Sequence, residues 1–379
     1  MERTRVSQAA DLAVLLPYML GFHPRDSVVV AALEGKRVGL LQRHDLIPEH
    51  DNPRPFAADL IERALAHRAD AIVVVGYEEA KGACNALRRA VAARARARRL
   101  PVVESIVVRD GRWYAPECRD GCCPREGEDL PPADRVPAVA SFVLRGCVPL
   151  ADREAVSGQV RPGTGLLVAP GRIAAEASRF LAQIDAAGGV GGLTVDGPAW
   201  NVFTGRSIAR AWQAILDPGA DALAVDELDD DVLAGAVGSL VDRQWRDALM
   251  GSLAPETMPM DRFAPRYLRD ARVATRACSW SVAARSSPLG MLLTPFSREE
   301  VDAGEVALVG ERLAAVVRRV APADAVHLLV VLAHFWWWVG DGPRAVSCLE
   351  EALSVDPAHR LAAMMYHLVS NGVSMQEIA

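Results

Sequence analysis

Lysine is almost missing from this chain: Lys36 and Lys81 stand alone against forty arginines. A phosphate-loop NTPase needs a lysine behind a glycine-rich run, and neither Lys36, preceded by Gly35 alone, nor Lys81 has one, which disfavours that class. Aromatic residues make up only 6% of the chain, so the core must rest on Ala, Val and Leu. The most apolar stretch, Val326–Val339, is too short to span a bilayer, which takes about 18 to 20 residues. Asp11 interrupts the apolar run near the N-terminus, so no secretory signal is read there. There is no Gly-x-Ser-x-Gly elbow, no His-Glu-x-x-His, no Gly-x-Gly-x-x-Gly after a strand and no Cys-x-x-Cys. Serine hydrolases, zinc proteases, dehydrogenases and thioredoxin-like enzymes are therefore disfavoured. Seven cysteines, an odd number in a long chain, argue against a secreted disulfide framework. The expectation is a soluble, cytoplasmic protein with no membrane partner.

What is present is 379 residues, 51% of them hydrophobic, with a net charge of −6. That length suits two domains or three. The charge gives no global pull toward nucleic acid or anionic lipid. With so much Ala, Gly and Asp, the arginine excess reads as the coding bias of a GC-rich genome.

Apolar patterning predicts an α/β domain over residues 1–170. Ser7 is placed to cap a first helix, ended by Pro17 and Gly21. Strands are expected at Ser27–Leu33, Val38–Asp45, Ala71–Gly76, Val102–Arg109 and Trp113–Cys118, with helices over 54–68 and 80–99. Alternation of this kind implies a layered sheet with mixed edges. From 171 to 379 nearly every periodic segment is helical, so an all-α domain is expected. Its end carries Ala333, Trp336, Ala345, Leu349, Ala352 and Pro357 at the spacing of a tetratricopeptide repeat. No second copy is evident upstream, so a helical hairpin packed on its own domain is favoured over an open peptide groove.

The densest chemistry is at Cys118-Arg119-Asp120-Gly121-Cys122-Cys123-Pro124, where three of the seven cysteines share six residues. Cys118 and Cys122 could ligate zinc as thiolates, with Cys123 or Cys147 as a third ligand. Vicinal thiols could instead form a reducible disulfide. A nucleophilic thiol would need a nearby base, and no histidine is local. Buried cysteines packing a loop on the sheet are the bland alternative.

Other clusters are weaker. The turn Gly21–Ser27 gathers His23, Asp26 and Ser27, a base, an orienter and a hydroxyl, between a helix and a strand. A plain connector is the favoured reading there. Tyr77 and Glu78 follow the most buried strand, where α/β sheets hold ligands. Arg88, Arg89, Arg94, Arg96, Arg98 and Arg99 crowd one helix and read as a solvated face; no aromatic interleaves, so nucleic-acid binding is not expected. Asp226, Glu227, Asp229, Asp230 and Asp231 suit the positive end of the helix that follows. Asp242, Arg243, Arg246 and Asp247 read as an ion-pair ladder. Trp336-Trp337-Trp338 is expected to include a buried interdomain contact.

Leu15-Leu16-Pro17-Tyr18-Met19-Leu20-Gly21-Phe22-His23-Pro24-Arg25-Asp26-Ser27 resembles the opening of an actinobacterial domain-of-unknown-function family. The Cys118–Gly127 stretch, with its Cys-Cys-Pro-x-Glu-Gly core, resembles that family's central motif. Trp245-Arg246-Asp247-Ala248 and Gly340-Asp341-Gly342 resemble its helical half. The similarity spans nearly the whole chain. It implies an actinobacterial origin and brings no activity with it. The function expected is a non-enzymatic regulatory or scaffolding role, binding a protein partner through the helical half. The alternatives are an uncommon enzyme and a metal or redox sensor, both using the Cys118/Cys122/Cys123 loop.

Overall fold

The computed structural model describes residues 9–35, 37–48, 50–118, 126–144, 147–186, 204–281, 301–373 and 375. The chain divides into two compact units, Met1–Val156 and Ser157–Ala379.

The first unit is built on a six-stranded sheet in the order β2-β1-β3-β4-β5-β6. The strands are β1 (Ser27–Glu34), β2 (Arg37–Asp45), β3 (Ala71–Tyr77), β4 (Val102–Arg109), β5 (Arg112–Tyr114) and β6 (Glu128–Asp129). Only β3 and β4 run parallel; the other pairs are antiparallel. The parallel pair is joined through α3 (Asn85–Ala97), as a crossover requires. β1 and β3 are apolar along almost their whole length because both faces of the sheet are covered. Val28, Val30, Ile72 and Val74 meet α2 (Arg54–Ala66) and α3 on one face. Val29, Ala31, Val73, Val75 and Tyr77 meet α1 (Ala9–Leu20) on the other. Two short helices follow, α4 (Pro137–Val143) and α5 (Arg153–Gln159).

Most boundaries fall within two residues of expectation, and three departures have a clear cause. α1 runs through Pro17 and stops only at Gly21, whose φ of 76° ends the helix. α3 begins five residues late, at Asn85, because Gly82 (φ 92°) and the preceding residues form a turn folded over Glu78. β5 stops at Tyr114, short of Pro116, which has no N–H for a ladder.

The second unit is helical: α6 (Arg172–Ala186), α7 (Thr204–Leu216), α8 (Asp230–Ser239), α9 (Arg243–Leu253), α10 (Pro265–Ala274), α11 (Ala303–Arg318), α12 (Pro322–Val339), α13 (Gly342–Val355) and α14 (Arg360–Ser370). The stretch 157–170 belongs with these helices. Val160 and Val168 enter their core, and Gly165 and Val168 bond the Arg318 and Arg319 carbonyls.

α12 is the axis of this unit. It packs on α8, α9, α11, α13 and α14, and every residue from Ala325 to Trp338 except His327 is buried. A helix apolar on all sides belongs in a core. Among the described residues it is the one helix long and apolar enough to cross a membrane by composition, and 72% of it is buried inside the fold. Pro322 opens it and Gly340 (φ 92°) closes it. α13 then returns antiparallel, with Ala345, Leu349 and Ala352 against α12, the hairpin read from the sequence.

The tryptophan triplet packs on residues of this unit. Trp336 lies on Gly310, where a Cβ would overlap the ring, and beneath the Arg344 guanidinium at 4.6 Å. Trp337 donates to the Val373 carbonyl at 2.8 Å, and Trp338 stacks on Trp280 at 6.1 Å.

Candidate functional site

The carboxyl end of the parallel β3/β4 pair is where an open α/β sheet holds a ligand. In this chain that place is filled from within. Gly76 lets the first turn of α3 close on the strand, since any Cβ there would overlap the Cys84 sulfur. Glu78 then turns its carboxylate into the amino end of α3. It accepts from the Gly82 and Cys84 backbone amides at 3.0 and 3.1 Å and from Arg109 Nη1 at 2.7 Å. Burial by itself raises the Glu78 pKa, but these hydrogen bonds outweigh it and hold the carboxyl below its ordinary value. A bound anion would occupy the same position at a helix amino terminus.

Beside it lies a second ion pair. Arg88 is 1% exposed. Its guanidinium forks onto both Glu117 oxygens and also donates to Ser105 Oγ at 2.7 Å and Asn85 Oδ1 at 3.1 Å. Arg89 adds a longer bond to Glu117 at 3.3 Å. Burial pushes up the Glu117 pKa, and the two arginines pull it below normal. Arg109 is sandwiched between Glu78 and the Tyr114 ring, 4.4 Å from the ring centre. The Cys84 thiol, buried and next to Glu78, is pushed up to about 12. It stays protonated at neutral pH and is a poor nucleophile.

This network also anchors the base of the cysteine loop. Glu117 immediately precedes Cys118. On the far side, Arg112 Nη2 donates to the Gly127 carbonyl at 2.8 Å, and β5 pairs with β6. Gly127 (φ 77°) lies so close to Tyr114 that a Cβ would overlap the ring. Cys118 packs, partly buried, against the apolar cluster on the α1 face, the cluster that also holds Phe22. Cys147 is exposed. Cys122 and Cys123 lie outside the described residues. Among the described residues no group of three or more His, Cys, Asp or Glu side chains is placed to hold a metal ion.

The Gly21–Ser27 turn joins α1 to β1. Asp26 adopts φ 37°, and its carboxylate accepts from the Glu79 amide at 3.0 Å while its carbonyl accepts from Leu46. The His23 backbone donates to Leu150, and its ring is exposed. Burial and the nearby Arg25 charge lower the His23 pKa. The Ser27 hydroxyl is fully buried and has no hydrogen-bond partner. No hydrogen bond joins the His23, Asp26 and Ser27 side chains.

Tyr77 has a structural task. Pro17 lacks the N–H that would bond the Ala13 carbonyl one turn earlier. Tyr77 Oη supplies the missing donor, at 3.0 Å. Burial raises the Tyr77 pKa, so the phenol keeps its proton.

Sequence reading missed Arg88, which it assigned to a solvated face. The signal was available: Val91, Ala92 and Ala95 lie three, four and seven residues on, so Arg88 sits on the apolar stripe of α3. Arg94 and Arg98 grip Glu62 of α2 at 2.5 and 2.9 Å. In the helical unit, Asp230 and Asp231 bond Arg319 and Arg172 at 2.9 and 2.5 Å. Asp242 caps α9 through the Trp245 amide, and Arg246 bonds its neighbour Asp247 in place of a ladder one turn long.

These features define a two-unit protein: a sheet layered between helices, with a hydrogen-bonded polar knot where a ligand would sit, and a helical unit around one buried helix. The family model described as "Domain of unknown function (DUF4192)" matches residues 10–295 and 299–375, and the chain belongs to that family. No curated protein and no solved structure matches it.

Proposed function

We propose that this chain is a cytoplasmic, non-enzymatic regulatory or scaffolding protein that binds a protein partner through its helical half. The observation that carries the reading is the filled carboxyl end of β3/β4. Glu78 takes the anion position at α3, both Arg88 Nη atoms are engaged by Glu117, Ser105 and Asn85 while its Nε stays buried without a partner, and the Cys84 thiol is held protonated. The one donor left over in that knot, Arg88 Nε, is buried and out of reach of a substrate in solution. The helical half, by contrast, keeps exposed apolar side chains on regular helices, Leu308 on α11 and Met364 on α14.

The test uses the full chain as bait under native conditions, followed by reconstitution with the purified protein it retains. Leu308→Glu and Met364→Glu together are expected to weaken that reconstituted complex by about tenfold or more, as loss of a buried anchor does. An unchanged affinity in the double variant, with binding lost instead in Leu144→Glu of the first unit, would overturn it.

A second reading, a metal or redox sensor, is favoured by the way the cysteine loop leaves β5 and returns at β6, both ends tied to one sheet edge. Metal content and thiol count on anaerobically purified full chain decide it. About one zinc per chain, lost together with stability in Cys118→Ser or Cys122→Ser, supports a metal site. Fewer than seven free thiols without metal supports a disulfide. Seven thiols and no metal would remove this reading.

A further inference from the structure

The last helix is fastened at both ends and along one seam. Ala362, Met365 and Val369 are its buried side. At the far end the Val373 carbonyl accepts from Trp337. At the near end His359 is the N-cap of α14, its Nδ1 accepting from the Ala362 amide at 3.2 Å. The other nitrogen, Nε2, faces Nδ1 of His327 on α12 at 3.2 Å, with the rings 5.2 Å apart and inclined at 60°.

These contacts fix the protons. A neutral His359 that accepts at Nδ1 carries its hydrogen on Nε2. It must then donate to His327, which accepts at Nδ1. The same assignment removes Nε2 as a metal ligand, so the pair is a hydrogen bond and not a two-nitrogen metal site. The surroundings oppose any added charge. The charges of Arg243 and Arg246 on α9 act on both rings, although Arg246 is bonded to Asp247, and Asp356 at the C-cap of α13 opposes them. A proton on His359 Nδ1 would turn the cap into a donor aimed at a donor and put a cation at a helix amino end. A proton on His327 Nδ1 would set two donors face to face.

We propose that the His327–His359 pair is an acid-sensitive latch that holds the first turn of α14 against α12, and that mild acid releases this helix. The physical cycle is closed by the open state, in which both rings reach water and protonate near the ordinary imidazole value of about 6.5. Burial and the two arginines disfavour the same protonation in the closed state, lowering both histidines, His327 to about 4.

The test is backbone hydrogen exchange of Arg360–Ser370 in the full chain at pH 7.5 and 5.5, corrected for intrinsic rates. Opening linked to one proton lowers protection about tenfold over that interval, and opening linked to two lowers it about a hundredfold. His359→Asn keeps a capping side chain that cannot titrate, so its protection should fall about tenfold less than that of the unaltered chain, leaving at most the one proton that His327 takes up. His359→Ser serves the same purpose if the first variant folds poorly. Flat protection in the unaltered chain, or an equal fall in the capped variants, would overturn the latch.

Discussion

Arg88 and Glu117 form a pair with unequal ends. Arg88 is buried, while the Glu117 side chain is 37% exposed. Deleting either end breaks the same bonds, but the survivor differs. Without Arg88 the carboxylate can turn toward water; without Glu117 a guanidinium is stranded in the core. Glu117→Ala is therefore expected to cost more than Arg88→Met, about 3 kcal/mol against about 1 to 2 kcal/mol, with solvent access softening both. Urea denaturation of the two variants checks the order. Ser27 supplies the opposite case. Its buried hydroxyl has no partner, so Ser27→Ala should be neutral or stabilising by up to about 1 kcal/mol. A large loss of stability would mean that the hydroxyl is bonded in solution. The residue types were legible in the chain, but their partners were not. Arg88 meets Glu117 across 29 positions and Asp26 meets Glu79 across 53, pairings that no local period encodes.

At the scale of elements, the strands and helices were legible because apolar period and length are local properties. The sheet order was less so, because it depends on which edges meet. The instructive case is α1. Proline inside a helix reads as a stop. Here it is tolerated because Tyr77 from β3, 64 positions from Ala13, bonds the Ala13 carbonyl that proline leaves unpaired. Tyr77→Phe should then cost about 1 to 2 kcal/mol, the penalty of an unsatisfied buried carbonyl. Pro17→Ala restores the N–H one turn along and should recover most of that loss in the double variant. A double-mutant cycle by thermal or urea unfolding measures the coupling. Additive losses would mean that the two residues are independent and that α1 tolerates Pro17 for another reason. The end of α3 teaches the same lesson. Its late start follows from Glu78 reaching two backbone amides, a side-chain demand that helix propensity does not contain.

For the molecule as a whole, the two units carry different acid sensitivities. The helical unit buries His334 completely, pushing it down to about 3, and lowers His327 to about 4. A histidine held below its ordinary value takes up a proton more readily when unfolded. Its stabilising contribution is full above the unfolded value near 6.5 and drains as pH falls toward the folded value. For His334 the loss reaches about 2 kcal/mol at pH 5. The sheet unit depends instead on Glu78 and Glu117, both held below the ordinary carboxyl value. Carboxylates of that kind stabilise above their unfolded value and lose the contribution only as pH falls through the lower folded one. Acid should therefore weaken the helical unit first, from about pH 6 downward, and the sheet unit, whose one lowered histidine is the exposed His23, chiefly below about 4.5. Trp113 is the single tryptophan before residue 157, so fluorescence follows the helical unit almost alone. Urea midpoints by fluorescence should fall between pH 7 and 5, while peptide-level hydrogen exchange in β1 and β3 stays unchanged over that range. His334→Gln should remove no more than about half of the fluorescence response, because His327 loses a similar amount by pH 5. A sheet that loosens at the same pH as the helices would mean that the two units unfold as one, and that the buried histidines set the acid limit for both.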